Sequence, residues 1–168
     1  MRTKNLTATS DSKSTDNQKK SIYLLSESKT KAQKVFHRLV QENDSKHAVY
    51  LDLSNKILHD KDSKELSMLI LTKYTEIKVL DLSNNYFTTR GLKNFLKNLQ
   101  KIDIKEIRME KNNIDFKAIN YLTSFMKYNK SLKKFLYGDI DRKKITSLYM
   151  EKLSTLKRKG LNVHFTNV

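Results

Sequence analysis

Apolar residues between Ile77 and Leu99 change their spacing once. They fall first at Ile77, Leu80, Leu82 and Phe87, with mostly polar residues between apart from Val79, and after Gly91 at Leu92, Phe95, Leu96 and Leu99. The two-residue spacing of Leu80 and Leu82 sets them on one side of an extended strand, and the second spacing sets its residues on one side of a helix. A strand followed by a helix is predicted. The same change of period recurs along the chain, with reference residues Leu51, Leu80, Ile107, Phe135 and Val163 standing 29, 27, 28 and 28 residues apart. A weaker copy starts at Tyr23 and Leu25, followed by Ala32, Val35, Phe36, Leu39 and Val40 on one helical face. The predicted organisation is a tail over 1–20, an amino-terminal cap or degenerate repeat over 21–47, repeats starting near 48, 77, 104 and 132, and a terminal strand near 161–166.

One strand and one helix cannot bury both of their apolar faces, so each unit needs its neighbours. Stacking would turn Leu51, Leu53, Leu80, Leu82, Ile107 and Met109 inward, with Phe87 and Ile114 closing the turn that follows each strand. Asn85 and Asn112 stand where the strand turns away and are expected to bond backbone groups exposed there. The helix in SKELSMLILTKY is apolar around most of its circumference and is expected to be deeply buried. The last helix is expected to bury Ile145, Leu148, Tyr149, Leu153 and Leu156.

The segment VLDLSNNYF at Val79 to Phe87 resembles the leucine-rich repeat, in its ribonuclease-inhibitor-like subfamily, whose units are long and end in a helix. The pattern is LxxLxLxxNxL, and the resemblance spans Tyr23 to Val168. The first repeat, LDLSNKIL, departs from it with Lys56 at the motif asparagine, the third, IRMEKNNI, restores it as Asn112, and the fourth has Ile140 there. The resemblance implies an α/β solenoid, a short right-handed horseshoe segment with parallel strands on the concave side and helices on the convex side. It further implies a non-catalytic protein-interaction module working as a monomer. Compact modules of this kind look like those among effectors of intracellular bacteria, which engage host proteins; a cytoplasmic setting, in the host cytosol for a secreted effector, follows from that likeness.

Composition narrows the chemistry. The 168 residues include no cysteine and no proline, which excludes a disulfide framework and thiolate metal ligands and leaves the repeats uninterrupted. His37, His47, His59 and His164 are scattered over different elements without metal-site spacing, and there is no phosphate-cradling glycine loop or nucleophile elbow. No catalytic residue, metal or cofactor is expected. Residues 1–20 are polar and basic without an apolar stretch, so disorder is expected rather than a cleaved signal, and no run is long enough to span a membrane.

The net charge of +16 changes the picture only once it is located. Thr88–Lys101, Phe116–Lys130 and Asp141–Lys159 together carry twelve of those charges and are read as outer helices. Their densest clusters are Arg142, Lys143 and Lys144, then Lys157, Arg158 and Lys159. On the inner wall, the strand residues alternating with the buried leucines include Tyr50, Asp52, Val79, Asp81, Glu106, Arg108 and Glu110, then Lys134, Leu136 and His164. That wall is expected to be acidic at the end holding Asp52, Asp81, Glu106 and Glu110. Two binding modes follow. A protein partner would meet the strand wall, with Tyr50 as aromatic anchor, Leu136 as apolar contact, and the aspartates either as contacts or as solvated strand residues. The second choice is RNA, another anionic polymer or an anionic membrane surface on the basic helices.

Overall fold

A computed structural model describes residues 30–41, 45–138 and 146–165. The expected tail, the weak copy at Tyr23, and Arg142, Lys143 and Lys144 lie outside the described residues. Each apolar alternation forms a strand: β1 (His47–Asp52), β2 (Glu76–Asp81), β3 (Asp103–Arg108), β4 (Lys134–Tyr137) and β5 (Asn162–Phe165). They pair in parallel and in chain order, as one sheet. Leu51 stands opposite Leu80, Leu80 opposite Ile107, Ile107 opposite Phe135, and Phe135 opposite Val163. The five reference residues therefore form one continuous row across the sheet.

Helices alternate with the strands: α1 (Lys31–Gln41), α2 (Asp60–Lys73), α3 (Thr89–Asn98), α4 (Ala118–Tyr128) and α5 (Ser147–Arg158). Consecutive helices touch one another, so they form a second layer. The core lies between the layers. Leu51, Leu80, Ile107 and Phe135 from the strands meet Leu66, Ile70, Leu92, Phe95, Leu122 and Phe125 from the helices. Leu53, Leu82, Met109 and Tyr137 are buried just beyond the strand reference row, and Leu58, Phe87 and Ile114 in the turns that follow.

Burial of the helices departs from the sequence expectation in two places. The second helix, α2, buries Leu66 and Ile70 together with Ser63 and Ser67, while Met68 is exposed. The serine hydroxyls satisfy themselves on the Asp60 and Lys64 carbonyls, so a polar pair fits inside and one side of the helix still faces out. In α5 only Leu156 is fully buried, Tyr149 and Leu153 are half-buried, and Leu148 is exposed. Among the described residues this last helix has a helical neighbour on one side only, which goes with its lower burial.

One close approach makes a substitution effect change sign. Gly91 lies in α3, and a Cβ built there would come 2.1 Å from an Asp60 carboxylate oxygen and 3.1 Å from the Phe87 ring. That carboxylate is held, because it accepts from the Thr88 amide at 2.8 Å and from the Thr88 hydroxyl at 2.5 Å. Glycine to alanine inside a helix ordinarily gains about 1 kcal/mol. Here Gly91→Ala is expected to lose about 1 to 3 kcal/mol, because the Asp60 bonds to the start of α3 must break. Chemical denaturation of wild type, Gly91→Ala and the Asp60→Ala/Gly91→Ala pair checks this. Relief of the alanine effect in the double variant is the expected outcome, and a raised midpoint for Gly91→Ala alone would exclude the clash.

Candidate functional site

The sheet face turned away from the helices carries two rows set by the register. Tyr50, Val79, Glu106, Lys134 and Asn162 form one, and Asp52, Asp81, Arg108, Leu136 and His164 form the other. Ser54, Ser83 and Glu110 follow at the strand ends. Strands a few ångströms apart bring side chains of neighbouring repeats within bonding range, and a connected network results.

Asp81 is its centre. One carboxylate oxygen accepts from the Ser83 amide at 2.9 Å and the Ser83 hydroxyl at 2.6 Å. The other accepts from the Tyr50 hydroxyl at 2.5 Å and lies 3.7 Å from the Arg108 guanidinium. Arg108 also pairs with Glu106 at 2.6 Å, and Lys134 approaches the second Glu106 oxygen at 3.4 Å. The Arg108 guanidinium sits 5.5 Å from the centre of the Tyr50 ring, within cation–π range. Tyr50, Asp81, Arg108, Glu106 and Lys134 are thus one chain of contacts over four strands.

This arrangement corrects the expected acidic end. Asp81 is only 6% exposed, and Glu106 is held between two cations. Asp52 repeats the local turn of Asp81, accepting from the Ser54 amide and hydroxyl at 2.9 and 2.7 Å, but remains exposed. The DxS pair is thus a turn device, in which a carboxylate satisfies the backbone two residues on. Tyr50 is 48% exposed, Val79 and Leu136 are half-buried, and His164 is exposed on β5. Lys157, Arg158 and Lys159 are exposed at the end of α5.

The titration of these groups follows from their partners. Burial raises the Asp81 pKa, but the bonds from Ser83 and Tyr50 and the Arg108 charge outweigh it, and the net shift is downward. Its bond to Asp81, with some burial, pushes the Tyr50 hydroxyl up to about 12. Glu110 goes the other way. Burial, and then the negative charges of Asp81 and Glu106, raise its pKa, and its Oε2 atom is buried with no donor among the described residues. A carboxyl with a raised folded pKa costs stability while ionised, and the cost fades as pH falls through that pKa. Glu110→Gln is therefore expected to raise Tm by a few degrees at pH 7 and to make little difference at about pH 3, where the carboxyl is largely protonated in both states. Thermal melts at the two pH values check this, and a lowered Tm at neutral pH would show that the carboxylate is needed.

Two further surfaces were not singled out by the sequence reading. An open groove of about 530 Å³ lies past the carboxyl ends of the first three strands, lined by Asn55, Ile57, Asn84, Tyr86, Lys111 and Asn113 among others. Tyr86 is exposed there and stacks on His59 at 4.9 Å. At the other edge, Lys78, Lys105 and Lys133 are exposed at matching positions of consecutive repeats. Their signal was in the sequence, as the lysine that follows the first apolar residue in EIK, DIK and SLK. Among the described residues no helix is long and apolar enough to cross a membrane, and no group of three or more His, Cys, Asp or Glu side chains could hold a metal.

No protein-family model matches the chain, and no curated protein matches it in sequence. Among solved structures, leiomodin-1 actin-binding site 2 (ABS2) is similar, with a TM-score of 0.65 over 83% of this chain and 82% of that one, at 13% identity. With the single parallel sheet and its alternating helices, this likeness shows a leucine-rich-repeat-like α/β fold.

Proposed function

We propose that the chain is a non-catalytic protein-interaction module that takes a protein partner on the open sheet face. The observation that carries this reading is Tyr50. Its ring is about half exposed, its hydroxyl is fixed by Asp81, and Arg108 lies against it, so an aromatic and an arginine are presented with little freedom left to lose. Side chains of these two types dominate binding energy at protein interfaces, and pre-ordering lowers the cost of association. Leu136 supplies half-buried apolar area further along the same face. The likeness to a leiomodin-1 actin-binding site supports the reading, since a similar fold there serves protein binding. The repeat length favours the ribonuclease-inhibitor-like subfamily, and a cytoplasmic setting and an effector role toward host proteins belong to the same proposal.

Affinity capture tests it, with purified actin as the first probe and lysate as the second. Wild type, Tyr50→Ala and Leu136→Ala are compared with a Lys61→Ala control, through nuclease and at two salt concentrations. A discrete protein retained through both treatments and weakened about 30-fold by Tyr50→Ala is the expected result. Capture that is indifferent to Tyr50 and Leu136 would move the interface off this face.

A further inference from the structure

Charge is not spread evenly between the two edges of the sheet. One edge is made by helices running into strands, in residues 45–48, 73–78, 98–105, 127–133 and 157–161, which hold eleven basic residues and two carboxylates, Glu76 and Asp103. Both carboxylates are engaged, Glu76 beside His47 at 3.4 Å and Asp103 accepting from the Ser131 hydroxyl at 2.8 Å. The opposite turns, residues 53–62, 82–90 and 109–118, hold five basic residues and four acidic ones. Among the described residues, basic charge is therefore concentrated at one end of the strand axis.

Within the basic edge, three lysines stand in line. Ile77 pairs with Ile104 and Val79 with Glu106, so Lys78 and Lys105 are register neighbours, and the pairing of Glu106 with Lys134 sets Lys133 beside Lys105. All three are exposed, and none is in an ion pair among the described residues. Like charges on directly adjacent strands destabilise a sheet, and this row repeats that cost in consecutive repeats with no carboxylate set against it. Tyr128, 68% exposed at the end of α4, lies on the same edge between Lys127 and Lys130. We propose that this edge binds a single-stranded nucleic acid, with Lys78, Lys105 and Lys133 along its phosphates and Tyr128 as a stacking platform for a base. A file of single cations matches a linear polyanion better than a plane of lipid headgroups, and an exposed ring can stack on a base only where the strand is unpaired. The site is separate from the Tyr50 face and stands or falls independently of it.

Fluorescence anisotropy with a short labelled oligouridine, using the full chain over a range of salt, tests this directly. The edge variant Lys78→Gln/Lys105→Gln/Lys133→Gln is set against Lys61→Gln/Lys111→Gln/Lys117→Gln, which removes the same charge from the opposite turns. The edge variant is expected to weaken binding and flatten the slope of log K against log salt by about 2, at about 0.7 for each phosphate no longer neutralised, with the control changed far less. Tyr128→Ala is expected to weaken binding about tenfold. Since the edge variant relieves like-charge repulsion, its Tm should hold or rise, which separates weaker binding from a folding defect. Equal losses in the two triple variants would reduce the effect to diffuse charge and overturn the site. So would an absence of oligouridine binding, alone or with retention on phosphatidylserine vesicles.

Discussion

Leu80→Ala is expected to lower the unfolding free energy by about 2 to 5 kcal/mol, the range for a large aliphatic side chain removed from a closed core. Leu80 is fully buried in the middle of the reference row, with Leu51 opposite on one side and Ile107 on the other. The hole would open at the junction of three repeats, where strand pairing on both sides resists collapse. Urea denaturation measures the loss. The same change at Leu153, half-buried in α5, deletes the same atoms and should cost less, so the pair of variants tests whether burial in the stack sets the penalty. A cost below about 1 kcal/mol at Leu80 would contradict the packed row.

Asn85→Ala is expected to cost about 3 kcal/mol or more, although it removes no apolar area. The Asn85 side-chain amide donates to the carbonyls of Leu53 and Leu82 at 2.9 Å and of Ser83 at 3.1 Å, and its oxygen accepts from the amides of Lys56 and Leu58 at 3.1 and 3.0 Å. Three of these five groups belong to the preceding repeat. Alanine removes the side-chain partner of all three, at about 1 to 3 kcal/mol for each group that water cannot reach, while the Leu82 and Ser83 carbonyls still accept from Asn112 and Asn55. Asn85→Asp keeps the acceptor but aims a carboxylate at three carbonyls, so it should fare no better. Asn112 makes the same bridge with its donors on Leu82, Met109 and Glu110 and a single amide, that of Phe87, on its oxygen. It is also more exposed. Asn112→Ala should therefore cost less than Asn85→Ala, and equal costs would mean that the bridge is not what stabilises the turn.

The socket around Asn85 also explains where the repeat pattern was legible. Asn85 and Asn112 each reach back to the strand turn of the repeat before. Lys56 stands at that position in the first repeat, whose strand β1 is the first of the described sheet. Strand positions were readable because the apolar period and the register are the same repeat seen in one and in two dimensions. Burial of the helix faces was less readable. Periodicity shows which side of α5 is apolar, but not that the stack provides a neighbour on one side only, and Leu148 was misplaced for that reason. The charged ladder was half legible. Its members were named from alternation alone, but the sign of the surface was not, because Arg108 takes the place that Asp52 and Asp81 hold in the earlier repeats. One arginine, reaching across to Asp81 and back to Glu106, converts a run of carboxylates into a paired network.

Sequential strand order has a kinetic meaning as well as a geometric one. Each unit is held only by the units beside it, so opening should begin at an end and proceed inward, with amide hydrogen exchange fastest in α5 and β5 and slowest around β2 and β3. A partner lying across Tyr50, Arg108 and Lys134 would touch three units at once and tie their opening together. Its binding would then register as slowed exchange in strands it never touches.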